Sequence, residues 1–269
     1  MELSIIVTNY RNPKLLKVCL DSIKKCAINV EHELIVADGA TEEDTEMMMR
    51  EEYKEIKFFA FKENVGFQAL VKRGIEHSSG KYVLLLNGDI ITTPNSIQEM
   101  LDFIKKDNTI GMVGPKLLNF NGTLQPSCFR FYKPLTIVYR RTFLGKFSFA
   151  KKHLDWFLMN DYDRQESKDV DWIMGSAIMI SRQALNKVGM MDPRYFMYME
   201  DVDWCRRFWE NGFRVVYFPK VSMHHYHGKG SAKGRFALSL LLNKYTWIHI
   251  FSGFKYFRKF LGKSLPIHN

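Results

Sequence analysis

Three stretches of this chain carry side chains able to hold a cation or move a proton. Asn87-Gly88-Asp89 follows the apolar run Tyr82 to Leu86. A carboxylate on a tight glycine turn can bind a hard divalent cation that also touches a diphosphate, though an isolated Asx turn closing a strand has the same spelling. Glu200-Asp201-Val202-Asp203 puts three acids at a helix start, where the macrodipole favours negative charge and simple capping is the plain explanation. The approach through Phe196-Met197-Tyr198-Met199 adds apolar bulk that desolvates a carboxylate and moves its pKa toward that of a general base. His224, His225 and His227 form the third cluster. Neutral imidazole is a ligand for Mn²⁺-like ions, and Gly228-Lys229-Gly230-Ser231 reads as a lid offering a cation and backbone donors to a diphosphate. Trp172-Ile173-Met174-Gly175-Ser176-Ala177 fits either close backbone approach to a ligand or ordinary strand packing.

These groups need a scaffold that gathers them. Leu3 to Thr8 is a β-branched apolar run of strand length. Pro13 then opens a helix whose Leu15, Leu16, Cys19, Leu20 and Ile23 recur at helical spacing. Glu33 to Ala37 is a second strand ending at the Asp38-Gly39 turn, Lys57 to Phe61 a third, and Tyr82 to Leu86 a fourth, with a helix from Gly66 to His77 between the last two. Continuous apolar strands alternating with amphipathic helices predict the α/β class, a mostly parallel sheet covered on both faces. Asn119 to Lys168 has no clear period and reads as an irregular insert or a substrate-facing region. Structure resumes at Ile173 to Ile180, in a helix over Tyr198 to Asn211, and in a strand pair, Arg214 to Phe218 and Val221 to His225. Ligands of open parallel sheets bind beyond the carboxyl ends of the strands, so Asp38, Asn87 to Asp89, His224 and His225 are expected on one rim.

Taken in order, these segments resemble glycosyltransferase family 2, its rhamnosyltransferase-like branch in particular. The likeness runs through SIIVTNYRN, IVADGATEED, ENVGFQALVKRGI and YVLLLNGDI, then through WIMGSAIMISRQALNKVGMMDPRYFMYMEDVDWCRRFWENGFRVVYFP to the histidine-rich tail. It covers about residues 2 to 231 and thins between about 120 and 170. It implies a GT-A-type, Rossmann-like domain over 1–231, with a nucleotide-sugar-binding half at 1–118 and an acceptor and catalytic half at 119–231. A C-terminal helical segment at 232–269 follows.

The implied reaction is inverting, metal-dependent transfer of a sugar from a nucleoside diphosphate sugar (dTDP-rhamnose by branch, with UDP-sugars open) to a hydroxyl of a saccharide or lipid-linked acceptor. Cell-surface polysaccharide synthesis is its implied setting. By motif position Asp38 contacts the base, Thr8 and Asn9 line the nucleotide pocket, and Asn64, Gly66, Asn87 and Gly88 adjoin the donor. Asp89 and His225, or its neighbour His224, hold Mg²⁺ or Mn²⁺. Asp201 is the implied general base with Glu200 beside it, and Trp172, Gly175 and Asp203 fall on the acceptor side. Two positions depart from the pattern. Ala37-Asp38 stands where relatives often carry two acids, and Asn87 opens the DxD-like motif, leaving Asp89 as its only charge.

The net charge of +10, from 39 Lys plus Arg against 29 Asp plus Glu, favours anionic partners without choosing among them. Four scattered cysteines without CxxC or zinc-like spacing read as reduced thiols. No basic n-region with a long apolar h-region opens the chain, and no apolar stretch reaches bilayer-spanning length. The expectation is a cytoplasmic protein, peripheral on the inner face of the membrane. Residues 236 to 263 interleave aromatics such as Trp247, Phe251 and Phe254 with Lys244, Lys255 and Arg258, as an interfacial amphipathic helix does. A helix packed on the catalytic domain has the same composition. Asn9-Tyr10-Arg11-Asn12-Pro13 after the first strand is not the GxGxxG of a dehydrogenase. No glycine-rich, lysine-bearing loop supports a nucleotidyltransferase, and dispersed basic residues do not form a nucleic-acid-binding module.

Overall fold

The structure, a computed structural model, describes residues 1–226 and 244–266. Four parallel strands open the chain: β1 (Leu3–Tyr10), β2 (His32–Gly39), β3 (Lys57–Phe61) and β4 (Tyr82–Asn87). They are linked by α1 (Pro13–Lys24), α2 (Glu43–Glu52) and α3 (Phe67–Glu76). The first helix starts where the sequence sets it, with Pro13 in its first turn and the Asn12 side chain accepting from Leu15 N.

The chain continues through β5 (Ile90–Ile91), α4 (Ser96–Ile104), β6 (Ile110–Leu118), β7 (Leu124–Gln125) and β8 (Cys128–Phe129). The segment expected to be irregular instead folds into α5 (Pro134–Arg141), a 3₁₀ turn (Phe143–Lys146) and α6 (Ser148–Phe157). Their apolar spacing is short and interrupted, and so hides in the sequence. Then come β9 (Lys168–Asp169), β10 (Trp172–Ile173), β11 (Ala177–Ser181), α7 (Arg182–Val188), α8 (Glu200–Glu210), β12 (Arg214–His225) and α9 (Lys244–Lys259). The expected strand pair near the end is one strand, β12, whose pairing with β6 shifts register between Phe218 and Ser222.

The main sheet has the order β3-β2-β1-β4-β11-β6-β12-β5. Its parallel strands bury alternate side chains on opposite faces. Leu3, Ile5 and Val7 pack with Leu16 and Leu20 of α1 and Met100 and Leu101 of α4. On the other face Ile6, Val83 and Leu85 pack with Val71 and Ile75 of α3 and Val202, Cys205 and Phe208 of α8. Strands from both sides of residue 118 thus share one sheet.

β11 runs antiparallel to both β4 and β6, with Ala177 opposite Leu86. An antiparallel strand enters the sheet where its parallel neighbours leave it. The Gly175-Ser176 entry to β11 therefore lies at the same edge as the carboxyl ends of β1, β2 and β4.

Candidate active site

Register builds the rim. Asn9 pairs with Asp38 across β1 and β2, and Thr8 with Asn87 across β1 and β4. Beyond them opens a cavity of about 550 Å³, within the usual range of about 300–1,000 Å³ for small-molecule sites. Of the residues singled out in the sequence, Thr8, Asn9, Asn64, Gly66, Asn87, Gly88 and Asp89 all line it. Phe67 and Phe196 form apolar wall, and Lys244, Tyr245 and Ile248 of α9 close one side.

The glycines here are steric requirements. Gly66 caps α3 at φ +82° and ψ 158°, a region essentially open to glycine alone. A Cβ there would meet the Phe196 carbonyl oxygen at 2.7 Å. At Gly88 a Cβ would fall 2.8 Å from Asn9 Oδ1, so the turn before Asp89 lies flat against β1. Gly66 N also donates to Asn64 Oδ1 (3.1 Å).

Asp38 stands one layer behind this surface. Fully buried, it accepts from Asn9 Nδ2 at 2.8 Å, and its Oδ2 has no hydrogen-bond partner among the described residues. Burial raises its pKa, against the bond from Asn9. Asp38 thus sets the orientation of Asn9 and does not itself line the cavity.

Asp89 and His225 meet. His225 Nε2 lies 3.4 Å from Asp89 Oδ1, a buried oxygen that makes no hydrogen bond among the described residues. On its far side His225 Nδ1 is 2.9 Å from Gln125 Oε1. A ring nitrogen held by a carbonyl in this way leaves the other, Nε2, as the nitrogen a metal would take, the arrangement usual in metal-ligating histidines. A carboxylate oxygen and an imidazole nitrogen 3.4 Å apart suit a divalent cation that completes its shell with diphosphate oxygens and water. No group of three or more acidic, histidine or cysteine side chains suited to a metal occurs among the described residues. The strand alternation of β12 sends His224 to the other face, toward Phe120. His227 and the Gly228-Lys229-Gly230-Ser231 stretch lie outside the described residues.

Asp201 opens α8 behind two consecutive left-handed residues, Tyr198 (φ 68°) and Met199 (φ 69°). Backbone strain of this kind persists where the surroundings over-determine it. Asp201 Oδ2 accepts from Gly175 N (3.2 Å) and Oδ1 from Val202 N (2.9 Å). Burial raises its pKa to about 6, while those two N–H groups and the charge of Arg140 pull the other way. Glu200 is held well above the usual carboxylate range by burial and by the Asp201 charge, and its Oε2 is buried without a hydrogen bond among the described residues. Burial thus pushes both of these adjacent carboxyls toward the protonated form, Glu200 also through the charge of Asp201, and Asp201 can ionise near neutrality.

The entry to β11 connects the two centres. Gly175 N holds Asp201, and the carbonyl of the following residue, Ser176 O, accepts from Asn87 N (2.8 Å). Asp201 lies beside the cavity, not in its wall. A Cβ on Gly175 would fall 3.5 Å from Asp201 Cβ and 3.3 Å from the ring of Phe67.

Two residues expected on the acceptor side are elsewhere. Trp172 is buried against Phe129 (ring centroids 4.3 Å apart), its Nε1 donating to Arg130 O. Asp203 is fully buried and bridged by Arg207 and Lys259. Both assemble the core and α9 contacts. Neither Gln125, in a two-residue strand, nor the α9 residues that wall the cavity carry a local motif that marks them.

α9 packs on the domain. Its Ser252 Oγ donates to Met197 O (2.9 Å), Lys255 Nζ to Arg194 O (2.7 Å), and Lys259 bridges Asp192 and Asp203. No helix among the described residues is long and apolar enough to cross a membrane.

A mostly parallel sheet with the antiparallel strand β11 set between β4 and β6, a cavity over its carboxyl edge and a carboxylate beside that cavity belong to a glycosyltransferase of the GT-A fold. The chain belongs to glycosyltransferase family 2: the family described as "Glycosyltransferase like family 2" matches residues 2–239. It is 28% identical over 231 residues to the N-acetylglucosaminyl-diphospho-decaprenol L-rhamnosyltransferase of Mycobacterium tuberculosis, covering 81% of this chain and 73% of that one. The fold is similar to that of GalNAc-T7, whose crystal structure holds UDP, GalNAc and Mn²⁺ (TM-score 0.63, 15% identity, 84% of this chain and 43% of that chain). It is also similar to S. aureus TarS (TM-score 0.59, 14% identity, 84% and 37%). This chain therefore spans less than half the length of either solved chain.

Proposed function

We propose that this enzyme moves a sugar, rhamnose or another hexose, from a dTDP- or UDP-sugar to a hydroxyl of a saccharide or lipid-linked acceptor, with inversion at the anomeric carbon. The observation that carries the reading is Asp201, held by two backbone N–H groups, raised to about 6 and set beside the cavity that contains Asp89. Asp201 takes the proton of the acceptor hydroxyl as that oxygen bonds to the anomeric carbon and the bond to the diphosphate breaks on the opposite face. Glu200 stays protonated and adds no competing charge. Thr8, Asn9, Asn64, Gly66, Asn87 and Gly88 receive the donor, Asp38 acting through Asn9.

Asp89 and His225 are the residues that would hold Mg²⁺ or Mn²⁺, which on binding offsets charge on the departing nucleoside diphosphate. Similarity to the mycobacterial rhamnosyltransferase supports a role in cell-surface polysaccharide synthesis. The decaprenol-linked acceptor in that relative's name supports work at a membrane surface, with 1–231 as the GT-A domain and α9 of the 232–269 segment packed on it and completing the cavity wall. The test is a thermal-shift and turnover panel of dTDP- and UDP-sugars with and without Mn²⁺, the product anomer being read by NMR. Stabilisation by one donor class, dependent on the cation, is expected; indifference to every nucleotide sugar rejects the reading.

A further inference from the structure

A second concavity lies outside the donor cavity, between α5 and α9. It encloses about 220 Å³ and is walled by apolar side chains, Ile137 and Val138 from α5 and Ile250, Phe254 and Phe257 from α9, with Arg141 and Thr142 as the polar members. The two helices meet closely at its floor, where a Cβ on Gly253 would fall 2.2 Å from Ile137 Cδ1. Phe254 is 65% exposed, and Val138 and Ile250 are also open to solvent. The groove is narrower than sites for whole small molecules and suits part of a hydrocarbon chain.

Its polar end leads toward the base. Arg141 donates to His249 Nδ1 (3.0 Å from Nε, 2.7 Å from the terminal nitrogen) and lies 5.6 Å from the ring centre of Tyr198. Tyr198 in turn stacks on His249 with ring centroids 4.8 Å apart, and it is three residues from Asp201. His249 has its pKa pushed down to about 2 by burial and by Arg141 and Arg140, so it brings no positive charge to this end of the groove. The adjacent Arg140 is exposed, donates to Tyr132 Oη, and lies close enough to Asp201 to lower its pKa. Neither arginine pairs with a carboxylate among the described residues. The order is thus an apolar groove, then two guanidinium groups, then Asp201, whose carboxyl feels the charge of Arg140.

We infer that this groove is the acceptor's lipid subsite: the α5–α9 walls take the first part of an isoprenoid chain, and Arg141 with Arg140 takes the phosphate that joins chain to sugar. The inference rests on the transfer reaction proposed above and specifies the acceptor's chemical class. The order of the parts matches an amphiphile whose tail is apolar, whose linker is anionic and whose far end presents a hydroxyl. Arginine suits the linker because its planar donors pair bidentately with phosphate oxygens.

The test is calorimetric titration of farnesyl diphosphate into the full chain with excess UDP present to occupy the donor cavity. Inorganic diphosphate and phosphatidylcholine vesicles serve as separate probes. Val138→Trp and Ile250→Trp fill the groove from opposite helices at solvent-open positions, and Arg141→Gln removes the inner charge; melting curves confirm that each variant folds. Farnesyl diphosphate is expected to bind, and each tryptophan variant to weaken it about tenfold or more, as the loss of a few buried methylenes should. Arg141→Gln is expected to weaken farnesyl diphosphate comparably, and UDP affinity to be unchanged throughout. Equal affinity in the filled variants, equal affinity for inorganic diphosphate, or binding to vesicles alone overturns the subsite. Retained UDP binding without a farnesyl diphosphate response rejects the subsite and leaves the transfer reaction standing. Loss of both rejects the two together.

Discussion

The N–H of Gly175 donates to Asp201 Oδ2 at 3.2 Å, tying the proposed base to the residue that leads into the sheet's antiparallel strand. The neighbouring carbonyl, Ser176 O, accepts from Asn87 N. Base and donor turn are therefore positioned by two successive residues, Gly175 through its N–H and Ser176 through its carbonyl.

The two carboxyls at the start of α8 should respond differently to substitution. Asp201→Asn is expected to cost about 10²–10⁴ in kcat, the usual share of general-base catalysis, with donor affinity retained. Glu200→Gln replaces a carboxyl already protonated and should leave kcat within about threefold, since it removes no ionised group from the site. Steady-state kinetics on both variants checks this, and equal losses would reject the division of roles.

Transfer should fall on the acid side as Asp201 takes up a proton. Its pKa is raised from 3.8 to about 6, so the rate should climb as pH rises through 6 and level off above it. The stability contribution has the opposite slope. In this window the folded chain binds more protons than the unfolded one, so the contribution is full below about 4 and is lost as pH rises through 6. A kcat–pH profile together with melting curves over the same range reads both. A flat acid limb would remove Asp201 as the titrating base.

Gln125 acts through His225, so its loss should appear in cation affinity before it appears in folding. Gln125→Leu should weaken Mn²⁺ binding about 10–100-fold, as second-shell substitutions commonly do. Saturating Mn²⁺ should restore most of kcat. Electron paramagnetic resonance titration of Mn²⁺ in the presence of UDP measures the affinity directly.

Gly66→Ala should destabilise the chain by about 1–3 kcal/mol, because its backbone conformation is essentially restricted to glycine. It should also weaken donor binding, since the new methyl must displace the Phe196 carbonyl at the cavity wall. Denaturant unfolding and UDP titration separate the two effects.

Lys259→Met should cost a few kcal/mol of stability. It leaves fully buried Asp203 with Arg207 and no second cation, so the loss should fall toward the low end of the roughly 3–5 kcal/mol seen when a buried pair is broken. Thermal melts of the full chain check it.

Much of the sheet and most of the cavity wall were readable because short apolar strands and their terminal turns leave local signals. Thr8, Asn9, Asn64, Gly66, Asn87, Gly88 and Asp89, each singled out by an ordered motif, line one cavity. Trp172 and Asp203 were misplaced because the sequence shows residue type without direction; one faces an aromatic stack and the other an ion-pair network. His224 and His225 look equivalent until strand alternation and a glutamine one hundred positions away choose between them. α5 and α6 escaped notice because each is short and buries few side chains.

α9 borders the donor cavity with Lys244, Tyr245 and Ile248 and the apolar groove with Ile250, Phe254 and Phe257. Its 16 residues make a rod about 24 Å long. A single-residue insertion midway would swing one end by about 100° relative to the other, unseating whichever set of contacts lay beyond it. Changes of length in this helix are thus forbidden by geometry, whereas an exposed aromatic outside both walls, Phe251, is free to drift, so homologues should vary there in side-chain identity and hold the residue count constant.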